Sequence, residues 1–205
     1  MASPVRVKIC GLTNSGDARA ALEAGADALG FNFYPPSPRY VRPEIAAEIA
    51  AGLGGATCIV GVFVDASRDQ VEQIARQVGL TALQFHGHEE ATMLQGWQRK
   101  VIKAIRVRDR QAAIDARRHP VDFILVDAYV EGRFGGTGSR LDLMLLEGFD
   151  RRRLILAGGL TPENVAEAVR TVQPFGVDVA SGVERSPGQK DWNLMRRFIA
   201  HAHAA

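Results

Sequence analysis

Short apolar runs alternate with amphipathic stretches along the whole chain. The runs cover residues 5–9, 28–33, 58–64, 81–85, 100–105, 121–126, 154–157 and 175–180. Each is rich in β-branched or aromatic residues and is bounded by Gly, Asp or Pro. Such runs read as strands buried on both faces. Between them lie helical patterns. Ala18, Ala21 and Leu22 recur at helix spacing after Asn14, Ile45, Ile49 and Leu53 follow Pro43, and Val71, Ile74, Ala75 and Val78 follow Ser67. Val165, Ala168 and Val169 follow Thr161-Pro162, where Thr suits an N-cap and Pro the first helical position. Further helices are expected after Asp109, after Arg140 and from near Lys190 to the end of the chain.

Eight strands alternating with helices imply a parallel sheet with right-handed crossovers. In 205 residues they fit a compact α/β fold, a single-domain (β/α)8 TIM barrel over residues 1–205. An open doubly wound sheet is the competing arrangement. No linker, low-complexity segment or repeat divides the chain.

Composition adds little to this and excludes more. With 46% hydrophobic and 23% charged residues, the chain falls in the ordinary globular range. The net charge of +2 comes from mixed signs, and the short cluster Arg151-Arg152-Arg153 reads as a solvated edge. A nucleic-acid partner is not expected. No apolar run approaches the roughly 18 residues a membrane span needs, and no charged-then-apolar leader precedes the first strand, so a cytoplasmic location is expected. Two cysteines, Cys10 and Cys58, do not suggest a disulfide framework. A monomer or a homodimer is compatible with the chain.

In barrels of this kind the chemistry sits at the C-terminal ends of the strands. The first strand ends Lys8-Ile9-Cys10-Gly11, which puts a thiol at that rim beside a residue that allows close ligand approach. Cys10 is either a small buried hydrophobe or a base or nucleophile, and the latter requires a site that favours its ionisation. Cys58 opens an apolar strand and reads as core. Asp127, directly after the sixth strand, either caps a loop or serves as an acid opposite Cys10. Gly158-Gly159 after the seventh strand and Ser181-Gly182 after the eighth offer backbone N–H groups to a phosphate. The segment 132–138, with Gly135 and Gly136, reads as a glycine-rich loop that closes over a ligand or simply lies on the surface. Arg39, in a proline-stiffened loop, suits a carboxylate ligand or a structural salt bridge. His86 is a substrate contact or a hydrogen-bonded rim residue. His86 and His88 without further ligands are poor evidence for metal, and no metal is expected. Asp178, inside the eighth strand, binds sugar hydroxyls or is a buried structural acid.

Several segments together resemble the phosphoribosylanthranilate isomerases of tryptophan biosynthesis. They are 7–13 (Val-Lys-Ile-Cys-Gly-Leu-Thr), 30–41, 61–64, 83–87 (Leu-Gln-Phe-His-Gly), 135–138, 156–165, 176–184 and 187–191, in family order along the chain. Phe85, His88 and Leu141-Asp142-Leu143 depart from the common pattern, at positions that bear on packing or the rim. The resemblance implies an Amadori rearrangement of an aminoaldose phosphate, with no cofactor. It makes Cys10 the general base and Asp127 the general acid. It gives Arg39 the anthranilate carboxylate, and gives Gly158, Gly159, Ser181 and Gly182 the phosphate, helped by Gly135 and Gly136. The partner it implies is this small-molecule substrate alone. The rivals are a histidine-pathway or dual-specificity aminoaldose isomerase, which carries a carboxylate where Cys10 stands, and a non-catalytic phosphosugar-binding barrel.

Overall fold

A computed structural model describes residues 5–54, 57–107, 110–127, 146 and 148–205. Strands β1 (Arg6–Cys10), β2 (Ala28–Asn32), β3 (Cys58–Phe63), β4 (Ala82–Phe85), β5 (Lys100–Arg106), β6 (Phe123–Asp127), β7 (Leu154–Ala157) and β8 (Gly176–Val179) close into a barrel in chain order. Every neighbouring pair is parallel, and β8 seals against β1 with Lys8 opposite Asp178. The predicted barrel is therefore the observed one, and the open sheet is excluded. A short antiparallel hairpin, β9 (Glu184–Ser186) and β10 (Gln189–Lys190), follows the barrel.

The helices are α1 (Ser15–Glu23), α2 (Pro43–Ala51), α3 (Arg68–Val78), α4 (Arg110–Arg117), α5 (Val165–Val172) and α6 (Trp192–His203). Their starts follow local chemistry. Asn14 Oδ1 accepts the Asp17 N–H at 2.8 Å, Pro43 opens α2, and Ser67 and Gln70 cap α3 reciprocally. Two expectations shift. Thr161-Pro162 opens a turn rather than the helix. Thr161 Oγ1 accepts the Glu163 N–H and Asn164 Oδ1 accepts that of Thr161, so α5 begins only at Val165. The last helix starts at Trp192, because Lys190 belongs to β10 and Asp191 is the N-cap. The helix expected after Arg140 falls largely outside the described residues.

The connection from β4 to β5 carries no helix. Its carbonyls at Thr92, Met93 and Gln95 accept from Arg68 Nη2 instead, and the Arg68 guanidinium stacks 4.2 Å above the Trp97 ring. The Arg151–Arg153 cluster forms one 3-10 turn whose arginines bond Gln173, Asp150 and the carbonyls of Val121 and Asp122. Among the described residues no helix is long and apolar enough to cross a membrane.

Period-2 alternation divides each strand between two cores. Outward residues such as Val7, Ile9, Leu29, Phe31 and Leu83 pack against the helices, whose buried faces include Ala18, Ile49, Val71 and Phe198. The inner core is smaller: Val60, Ala82, Ile102, Ala104, Leu125, Ile155 and Ala157. On the β1 and β8 side the interior is filled by Lys8 and Asp178 instead. Phe198, fully buried on α6, belongs to the outer core. Phe198→Ala should cost roughly 3–5 kcal/mol of stability, read as a fall in the urea midpoint with m unchanged.

Candidate active site

At the C-terminal ends of the strands a cavity of about 400 Å³ opens into the barrel mouth. Cys10 at the end of β1 and Asp127 at the end of β6 both line it. Those strands are not neighbours, so the sulfur and the carboxyl approach the same space from different walls. Arg39, His86, Gly158, Gly159, Asp178, Ser181 and Gly182 line it too. Gly135 and Gly136 lie outside the described residues.

Cys10 sits in a crowded, charged corner. A Cβ on Gly30 of β2 would come within 2.9 Å of Cys10 Sγ and 3.0 Å of Lys8 Nζ, so glycine there leaves room for both. Lys8 is two residues before Cys10 on the same face of β1. Its Nζ donates to Asp178 Oδ1 at 2.7 Å, and both side chains are buried. Burial pushes the Cys10 thiol up, the Lys8 ammonium pulls it down, and the Asp178 carboxylate adds to the rise; the net direction is upward. Lys8 is driven the other way by burial, but Asp178 and Cys10 outweigh it and hold it firmly protonated.

Arg39 is held in place before any ligand arrives. Its Nε and Nη2 donate to the Glu184 carboxylate at 2.7–3.1 Å. That uses one edge of the guanidinium and leaves the edge formed by Nη1 and Nη2 for another carboxylate. Glu184 Oε1 also accepts from Lys190 Nζ at 2.8 Å, and Lys190 Nζ donates on to the carbonyl of Cys10 at 2.6 Å. Burial opposes ionisation of Glu184, but Arg39 and Lys190 outweigh it and hold its pKa below the ordinary value. Gly11, at φ +75°, completes the fit, since a Cβ would lie 2.6 Å from Arg39 Cδ. Thus the structural ion pair considered for Arg39 is present, and its two cations against one anion leave net positive charge facing the cavity.

His86 stands at the rim after β4. The Gln84 amide nitrogen lies 3.2 Å from His86 Nδ1. With Nδ1 accepting that bond, the ring proton sits on Nε2. Burial pushes the imidazole pKa down, which favours the neutral ring. Gln84 Oε1 is buried and has no hydrogen-bond partner among the described residues, although Gln84 lines the cavity. The loop behind His86 is pinned by Glu89, whose carboxylate pairs with Lys103 Nζ at 2.7 Å and accepts the N–H groups of Gly87 and Asp65. His88, by contrast, is fully exposed, 3.6 Å from Asp65.

Gly158 and Gly159 both take positive φ after β7. Their N–H groups donate to no acceptor among the described residues. Ser181–Val183 forms a 3-10 turn after β8. It packs so closely on the β7 loop that a side chain at Gly182 would run into the Leu160 carbonyl. Two turns with exposed N–H groups at adjoining strand ends make a place for an anion. Asp127 Oδ2 lies 3.9 Å from Arg106 Nε.

Cys58, read as core, packs against the inner core but is only partly buried. It lies at the opposite end of the barrel, where Thr81 Oγ1 approaches its sulfur at 3.6 Å, and it lines an apolar hollow there. That hollow, about 510 Å³, is larger than the upper cavity, but the thiol of Cys10, the carboxyls of Asp127 and Asp178, His86 and the glycine turns line the cavity at the top. Among the described residues no group of three or more His, Cys, Asp or Glu is arranged to hold a metal ion.

Sequence reasoning passed over Lys8, Gln84, Glu184 and Lys190. A signal existed for the first two. Alternation places Lys8 on the face of Cys10 and Gln84 on the face of His86, and a polar residue two positions before a rim residue points into the barrel. Glu184 and Lys190 reach the site through the β9–β10 hairpin, marked in the sequence only by Pro187-Gly188.

Comparison with known proteins agrees with this geometry. The family model described as N-(5'phosphoribosyl)anthranilate (PRA) isomerase matches residues 7–201. N-(5'-phosphoribosyl)anthranilate isomerase of Pseudomonas fluorescens (strain Pf0-1) is 50% identical over 199 residues, 96% of this chain and 98% of that one. A crystal structure of phosphoribosyl anthranilate isomerase in complex with reduced 1-(o-carboxyphenylamino)-1-deoxyribulose 5-phosphate superposes with a TM-score of 0.85 at 40% identity, covering 98% of this chain and all of that one. A structure of monomers of the dimeric enzyme from Thermotoga maritima gives 0.86 at 39% identity, with the same coverage. On the match over nearly its whole length, the chain belongs to the N-(5'-phosphoribosyl)anthranilate isomerase family.

Proposed function

We propose that this isomerase converts N-(5-phosphoribosyl)anthranilate to 1-(2-carboxyphenylamino)-1-deoxyribulose 5-phosphate with Cys10 as general base and Asp127 as general acid. The observation that carries the assignment is their convergence on one cavity from two strands that are not adjacent. Asp127 gives its proton to the furanose ring oxygen as the C1–O bond breaks, leaving a protonated Schiff base at C1. The Cys10 thiolate then takes the proton from C2. The C2–H electrons become the C1–C2 double bond, and the imine pair returns to nitrogen. The enolamine formed relaxes to the ketone when C1 gains a proton and the C2 hydroxyl loses one.

The rest of the cavity suits the two ends of this substrate. The exposed edge of Arg39 takes the aryl carboxylate, while the N–H groups of Gly158, Gly159, Ser181 and Gly182 take the phosphate. Gly135 and Gly136 are assigned to the same end by resemblance. His86 offers Nε2–H to the sugar, while Asp178 reaches the hydroxyls only as far as Lys8 leaves it free. Anchoring both ends holds C2 against the sulfur, which lowers the barrier by several kcal/mol in well-positioned systems. The relative's complex with a reduced carboxyphenylamino-deoxyribulose phosphate fits this product. The substrate is a small molecule, the enzyme works in the cytoplasm, and the chain acts as a monomer or homodimer.

Cys10→Ala and Asp127→Asn should each lower kcat by about 10²–10⁴-fold; unchanged turnover removes that residue from the mechanism. Arg39→Ala should chiefly raise KM, and an unaltered KM counts against its role. Steady-state assay on both the single-phosphate aminoaldose and the histidine-pathway aminoaldose tests substrate choice, with turnover expected on the former. Stability should also respond to acid at Glu184. Its folded pKa is held below 4.5, so its ionisation contributes stability above that pH, and the contribution is lost as pH falls through the lower folded value. Glu184→Gln should lower urea stability at neutral pH and flatten its acid limb.

A further inference from the structure

We propose that Lys8 is the positioning residue that favours ionisation of the Cys10 sulfur, and that Asp178 sets how strongly it does so. The inference deepens the assignment of Cys10 as base and rests on it.

Cys10 is half-buried where it lines this cavity, and partial removal from water favours the neutral thiol, a poor base. Something must offset that desolvation, and the positive charges near the sulfur come from few places. Lys8 shares its strand and its face, and the space that a Gly30 side chain would fill is flanked by Cys10 Sγ and Lys8 Nζ. An ammonium has three donors; Asp178 Oδ1 takes one at 2.7 Å. The Lys8 charge is thus shared between a carboxylate on β8 and a sulfur on β1.

The other groups around Cys10 act less directly. Lys190, on β10, sends its Nζ to the Cys10 carbonyl and shares Glu184 with Arg39; it too lowers the thiol's pKa, but less than Lys8 does. Arg39, from the loop after β2, is committed to the same carboxylate. β2 itself brings only Gly30 and Asn32 to the cavity side. From β4, His86 is pushed toward its neutral form. Asp127 on β6 and Asp178 on β8 are anions and oppose a thiolate. Lys8 therefore stands as the principal counter-charge, and its protonation is secured by the pair it forms with Asp178.

A purely structural ion pair would stabilise the fold and leave the sulfur's ionisation alone. The two roles separate in the full-length protein carrying Cys58→Ser, where Cys10 is the remaining thiol. The rate of alkylation by iodoacetamide against pH gives the sulfur's midpoint without substrate or turnover. Lys8→Met should raise that midpoint by about 1–3 pH units, the usual effect of an opposite charge at close range. Asp178→Asn should lower it. The double variant Lys8→Met/Asp178→Asn, which leaves neither charge orphaned in the interior, should fall between the single variants and above the parent. The alkaline-going limb of kcat/KM should move with the midpoint in Lys8→Met. A midpoint at the parent value in Lys8→Met or in the double variant, or shifts of the same sign in both single variants, would overturn the proposal. Full turnover in Cys10→Ala is a separate result; it removes the base assignment and leaves the alkylation midpoints as they are.

Discussion

A lysine and an aspartate stand side by side inside the barrel, both almost wholly removed from water. Each alone would be severely destabilising there, and neither has bulk solvent to fall back on. They are tolerated because closure of β8 onto β1 sets them in register at 2.7 Å. The neighbouring part of the interior is then a small, uncharged cluster of Val60, Ala82, Ile102, Ala104, Leu125, Ile155 and Ala157. The barrel thus has an apolar side and an ionic side. The Cys10 sulfur is mounted on the ionic side, above the pair, where a low-dielectric environment makes nearby charges count for more than they would in water.

The rim repeats this arrangement on a larger scale. Arg39, Glu184 and Lys190 come from a loop and from the two strands of the β9–β10 hairpin, and they end on the carbonyl of Cys10 itself. Arg39 and Cys10 are therefore tied through a short chain of charge-assisted bonds. Glu89 and Lys103 do similar work beneath His86. Side chains that would meet substrate are supported by partners with fixed geometry, so the cavity is shaped before anything enters it.

The strands and their order were legible because each is a short β-branched run with turn residues at both ends, and because eight such units in a chain of this length leave few architectures. Cys10 and Asp127 were legible for a simpler reason: each is the polar residue that ends a buried run. What the pattern concealed depends on distant closure. Glu184 and Lys190 belong to a hairpin too short to have a hydrophobic signature. The Lys8–Asp178 pair needs β1 and β8 to be neighbours, which follows only from the sealed barrel. Where the expected helix start at Thr161 slipped, side-chain bonds from Thr161 and Asn164 made a turn first. The β4–β5 connection carries no helix, and Arg68 takes its carbonyls at Thr92 and Gln95.

That long-range seal has a consequence for the nascent chain. Lys8 and Asp178 lie 170 positions apart, so the amine leaves the ribosome long before its carboxylate exists. Until β8 has emerged, β1 carries a cation without its partner, and the interior on that side cannot be dried without cost. Closure of the Cys10 corner therefore waits for β8, the strand that arrives with the matching charge.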